Sequence, residues 1–167
     1  MPLLDLFLIL VVAGFVFYGF FFGFIKTVGS LIGTILGLVI ATRVSRPISE
    51  QIGFIFGGGG TAQIIVFIIV FLILSRLIGF VFWLLEKPLG SIKWLPFVGT
   101  ADRLLGGLLG FIEGVMVVGV VIFYAFQILP EDAVEMGLAH SSVATFLRDT
   151  MIMLQFLFPA DLRIVVE

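Results

Sequence analysis

From Leu3 to Thr42 the chain is almost continuously apolar, broken by charge only at Asp5 and Lys26. A single helix of that length would extend roughly 60 Å at 1.5 Å per residue, about twice the ~30 Å hydrocarbon core of a bilayer. The run must turn back. It does so best within Gly19-Phe20-Phe21-Phe22-Gly23-Phe24-Ile25-Lys26, where two glycines loosen the backbone and the lysine reaches the headgroups. Two spans, 3–22 and 24–42, are predicted as a tight hairpin. No basic leader or small-residue cleavage site precedes the first, so it reads as a retained span.

Arg43, Arg46 and Pro47, followed by Gly57-Gly58-Gly59-Gly60, predict a loop. A third span covers 61–85 and ends beside Trp83, Glu86 and Lys87, markers of a membrane interface. Pro88, Gly90, Pro96 and Gly99 break the next stretch into a short interfacial segment around Trp94. The fourth span, 104–129, stops at Pro130, with Thr100 or Asp102 as a candidate cap for its start. The fold class is thus an all-α membrane bundle of four spans within 1–130, followed by a tail at 131–167. Ser141 is placed to cap an amphipathic helix over 142–158, whose apolar face includes Val143, Phe146, Leu147, Met151 and Met153. With Arg148 and Asp149 at its middle, that helix is expected to lie on the membrane surface or a partner rather than to cross.

Composition agrees: 61% of residues are hydrophobic and 12% charged, far from the balance of soluble domains, so the surplus must face lipid. The formal net charge of -2 and the lack of a basic run exclude a nucleic-acid binder. Zero cysteines exclude disulfides, thiolate metal sites and a cysteine nucleophile.

Small residues recur every fourth position: Gly29, Gly33, Gly37 and Ala41 in the second span, Gly106, Gly110 and Gly114 in the fourth. Such faces admit a second helix at close range, read first as packing within the chain and then as self-association or partner assembly. Arg76 lies nine residues before the end of the third span and Glu113 nine after the start of the fourth. Antiparallel helices would bring them to one depth, where an ion pair or a polar path relieves the cost of charge in lipid. Asp5 suits the N-terminal dipole of the first helix as an anchor. His140 is the single histidine, Ser141 and Ser142 lack a nucleophile elbow, and the glycine run lacks a following Lys-Ser or Lys-Thr. The chain is therefore read as non-enzymatic, without cofactor or metal.

The early Leu4-Asp5, the Gly23-Phe24 turn with a basic residue three on, and Asp102-Arg103-Leu104-Leu105-Gly106 followed by Gly110 and Gly114 together resemble the colicin V production protein family, CvpA-like proteins of bacterial inner membranes. The resemblance implies a multi-pass inner-membrane protein required for toxin production or export, with envelope-related phenotypes, and names no substrate. It also implies basic residues where this chain has Phe22 and Glu113. The lipid bilayer is the expected environment, with a second copy or membrane transport machinery as the expected partner. Two functions follow: assistance to toxin export or envelope maintenance through helix–helix assembly, or a small pore or solute transporter with Arg76 and Glu113 lining a polar path. Lys26, Lys87, Lys93 and Arg103 on one side, against Arg43 and Arg46 on the other, predict that the hairpin turn faces the cytoplasm and both termini lie outside.

Overall fold

The interruptions in the apolar pattern set where the helices begin and end. In a computed structural model that describes residues 2–57, 59–86, 98–129 and 134–154, α1 spans Pro2–Phe22, α2 Phe24–Ile52, α3 Gly59–Glu86, α4 Val98–Ile128 and α5 Ser142–Met153. A 3-10 turn at Gly53–Phe56 precedes α3, and a π turn at Val134–Leu138 precedes α5. No strand occurs among the described residues. The first four helices are long and apolar enough to cross a membrane, over Leu3–Phe22, Phe24–Phe56, Thr61–Val81 and Gly99–Gln127. The protein is an all-α membrane bundle.

Three boundaries depart from the sequence-based expectation. The chain does not leave the helix at Arg43–Pro47: α2 runs through Pro47 to Ile52. Its last turns carry local bonds beside the proline: Arg46 pairs with Glu50 at 3.5 Å, and the Ser49 hydroxyl donates to the Arg46 carbonyl at 2.8 Å. α4 starts at Val98, six residues before Leu104, so Asp102 lies inside it. α5 ends at Met153 rather than Phe158, with 155–158 outside the described residues, as are 87–97 and the remaining tail.

Helices that adjoin in sequence are not the ones that pack most closely. α1 packs chiefly on α4, antiparallel to it, and α2 chiefly on α3; α1 and α2 touch each other little. α4 also lies along α2 and carries α5, and half of its apolar window is buried, against 11% for α1. α4 is therefore the central element. Near the middle and the far end, Leu38, Ala41, Phe67, Phe71, Val120, Phe123, Tyr124 and Met151 form one core; Leu8, Val12, Val118, Ile122, Ala144 and Leu147 form a second between α1, α4 and α5.

α5 is docked on this bundle. Ala144, Leu147 and Met151 are buried, while Phe146 and Met153, assigned by the sequence to the same apolar face, are 59% and 82% exposed. Ser141 is the N-cap, accepting from the Ala144 N–H at 3.0 Å. Asp5 reinforces it from the start of α1, its Oδ1 accepting from the Ser141 hydroxyl at 2.6 Å and the Val143 N–H at 3.0 Å. Asp5 lies in the first turn of α1, where a carboxylate suits the helix dipole as expected, and it serves the N-terminus of α5 as well.

Candidate functional site

The small-residue faces make backbone-to-backbone crossings inside the chain. A Cβ on Gly106 would strike the Gly19 carbonyl oxygen, and one on Gly110 the Phe15 carbonyl oxygen. Gly114 faces the Phe15 side chain, where a Cβ would stand 3.0 Å from its Cβ. These three glycines bring α4 against α1. On α2, Gly33 faces the backbone of Gly79 at 2.7 Å and Gly37 faces the Ser75 hydroxyl at 2.6 Å, measured from a Cβ built at each glycine. Gly29 and Ala41 are buried along the same helix.

The Gly23-Phe24 turn and the start of α4 meet in space. Gly23 alone separates α1 from α2; its φ of 82° is a conformation that side chains other than glycine's rarely allow. The Gly23 N–H closes α1 by donating to the Gly19 carbonyl at 2.8 Å. Asp102 Oδ1 accepts from the Phe24 N–H at 3.0 Å, and a Cβ on Gly23 would collide with that carboxylate. Asp102 therefore caps α2, not α4, because α4 begins a turn earlier and presents residue 102 to its neighbour. Arg103, next to it, is exposed.

Beside this junction opens a cleft of about 390 Å³, lined by Tyr18 and Phe22 of α1, Lys26 and Ser30 of α2, and Ser75, Arg76, Gly79 and Phe80 of α3. Ser75 is buried, Lys26, Ser30 and Gly79 are half-buried, and Tyr18, Phe22, Arg76 and Phe80 are exposed. The Lys26 ammonium stands 4.7 Å from the Phe22 ring centroid, and the Arg76 guanidinium 5.4 Å from that of Phe15. Both cations are thus steadied by aromatic faces.

Behind the cleft lies Glu113, only 2% exposed. Its Oε1 accepts from the Ser30 hydroxyl at 2.6 Å and the Thr34 hydroxyl at 3.3 Å, while Oε2 has no hydrogen-bond partner among the described residues. Eleven residues beyond Asp102, it lies about 16 Å along α4 from the α1–α2 junction, close to mid-bilayer. A helical side chain leans toward its own N-terminus, which carries this carboxylate up to Ser30. Arg76 and Glu113 do not form a direct ion pair among the described residues. The reason lies in the packing: α3 rests mainly on α2, so α2 supplies the hydroxyls that reach Glu113 first. What joins the two is Ser30, which lines the cleft with Arg76 and bonds Glu113.

Sequence reasoning missed Ser30 and Thr34, although their spacing of four places both hydroxyls on one helix face. It also missed Gly19 as a packing residue, reading it as part of the turn. His140 is exposed, and no group of three or more potential metal ligands occurs among the described residues.

A family model described as colicin V production protein matches residues 4–152, nearly the whole chain. No curated protein and no solved structure matches it.

Proposed function

The chain belongs to the colicin V production protein family, and we propose that it acts as a non-enzymatic, multi-pass protein of the bacterial inner membrane that assists toxin production or export, or envelope maintenance, by holding a charged small molecule in the cleft beside Arg76. The observation that carries this reading is the cleft's composition. Lys26 and Arg76 share one wall-to-wall space with Ser30 and Ser75, and Ser30 connects it to Glu113. Ionisable side chains at membrane depth face a bundle interior or a polar cavity and point to a solute path, because each costs free energy that an apolar residue would not. In this form of the carrier reading Arg76 lines the path and Glu113 stands behind its wall.

Assembly with a second copy or with transport machinery is the other reading, and one observation favours it: Leu6, Phe7, Leu10 and Phe17 of α1, and Phe146 and Met153 of α5, all point away from the bundle. The glycines expected to serve such assembly already face helices of the same chain.

Cysteine labelling separates the two, since the natural chain has no cysteine. With Ser30→Cys in membranes opened on both sides, a water-soluble maleimide should react at a rate comparable to that of an exposed Glu50→Cys control. Protection of both Ser30→Cys and Arg76→Cys, with the control labelled, would overturn the carrier reading and leave assembly.

A further inference from the structure

The cleft carries more than the presence of charge: its lining holds two cations and, among the described residues, no carboxylate. Glu113 sits behind Ser30 and is engaged by two hydroxyls, and Asp102 is engaged by the Phe24 N–H. One carboxylate cannot neutralise both Lys26 and Arg76, and neither cation has a salt-bridge partner among the described residues. An excess positive charge held within a membrane calls for an anion. The Ser30 and Ser75 hydroxyls already donate to Glu113 and to the Phe71 carbonyl, so the donors left for a ligand are an arginine fork and a lysine point charge, a set suited to the oxygens of a phosphate group.

The position of the cleft indicates where such a group comes from. Lys26 lies only about 3 Å along α2 from its first residue, Phe24, at the end of the span, where lipid headgroups lie. Arg76 enters from deeper on α3, and its long side chain is able to reach toward the same level. The rim consists of Tyr18, Phe22 and Phe80, all exposed on the flank of the bundle, so the space opens where an acyl chain would pass. We propose that the cleft binds the phosphate of an anionic membrane lipid, entering sideways from the bilayer, with Arg76 and Lys26 as its charged ligands. The inference rests on the cleft being the working part of the protein and specifies the chemical class it receives.

The test is lipid retention by the full-length protein. Delipidated protein is returned to bilayer discs containing equal phosphatidylglycerol and phosphatidylcholine, released, and the lipids that stay bound are identified by native mass spectrometry. Phosphatidylglycerol should be retained in clear preference. The Lys26→Gln, Arg76→Gln double variant should lose about tenfold or more of that preference, the size expected for charge-assisted hydrogen bonds. The charge-keeping Lys26→Arg variant should retain it. Equal retention of both lipids, or a preference unchanged in the double variant, would overturn the proposal.

Two controls keep the outcome sharp. If the double variant fails to fold, a photoactivatable phosphatidylglycerol on the natural protein should crosslink to peptides containing Tyr18, Phe22 or Phe80, and crosslinks confined to other surfaces would overturn the site. Glycerol phosphate should not displace the bound lipid; displacement at matched concentration would overturn the bilayer as the source and assign the cleft to a free phosphate ester. Equal retention of both lipids by the natural protein together with rapid labelling at Ser30→Cys would sink this ligand class while leaving the carrier reading intact.

Discussion

The two ends of the bundle are held together by opposite means. At the α1–α2 junction, backbone presses on backbone: Gly19 on Gly106, Phe15 on Gly110, with Asp102 tying the Phe24 N–H. Toward the far end, large side chains interlock: Phe67 meets Tyr124 edge-on at 5.1 Å between centroids, Phe123 meets Tyr124 at 5.0 Å, and Met151 of α5 fills the space over Gly119. Lipid tails are as apolar as leucine, so helices in a bilayer associate through close packing and hydrogen bonds rather than through escape from water. The glycine end gains contact by removing side chains, the aromatic end by adding them. A glycine crossing has no rotamer to adjust, whereas an aromatic cluster yields by degrees, so the first should fail abruptly and the second gradually. The cation-bearing cleft lies at the rigid end.

Substitutions sharpen that contrast. Gly106→Leu should have the largest effect, since even a Cβ there meets the Gly19 carbonyl; we expect a loss of about 3 kcal/mol or more, the upper reach of overpacking, and in many preparations no folded protein. Denaturant titration in micelles followed by circular dichroism measures it, and a stable Gly106→Leu protein would remove the basis for calling this end rigid. Met151→Ala should cost about 2 kcal/mol, near the low end for a buried methionine, because the flexible residues around it close part of the cavity. Its unfolding midpoint should shift without loss of expression. Asp102→Ala should cost about 1 kcal/mol through the lost cap on α2, and Asp102→Asn much less, since asparagine caps as well as aspartate. Equal losses in the two variants would mean that the carboxylate's charge, not its acceptor oxygen, matters. Gly14→Ala should be the mildest: nothing lies within 4 Å of a Cβ there, and alanine's higher helix propensity should stabilise by a few tenths to about 1 kcal/mol.

Much of this arrangement was legible in the residues. The overlong apolar run required a turn near Gly23, and the four-residue spacing of Gly106, Gly110 and Gly114 marked a close-packed face. Periodicity identifies a face but not what covers it, which is why α1 against α4, and α2 against α3, emerged only in three dimensions. The same limit explains Asp102: its position suggested a cap, but the helix it caps begins at Phe24. Arg76 and Glu113 were matched by depth along antiparallel helices, and depth alone could not show that Ser30 and Thr34 of a third helix would reach the carboxylate first. Pro47 misled because the composition around it is that of a loop, while the Arg46–Glu50 pair and the Ser49 hydroxyl support helix there.

Because Phe24 receives its cap from a residue 78 positions later, the order of synthesis bears on assembly. When the first two helices leave the ribosome, the glycine-bearing side of α1 has no mate and the first N–H of α2 has no acceptor, since both are supplied by α4. The opening pair of spans therefore enters the bilayer as an unfinished object. It is completed only when α4 arrives and packs against both α1 and α2, after which Asp5 engages the start of α5. In this protein α4 supplies α1 with its main partner and α2 with its cap, so a nascent chain halted ahead of residue 98 holds a packed α2–α3 pair beside an unmated α1.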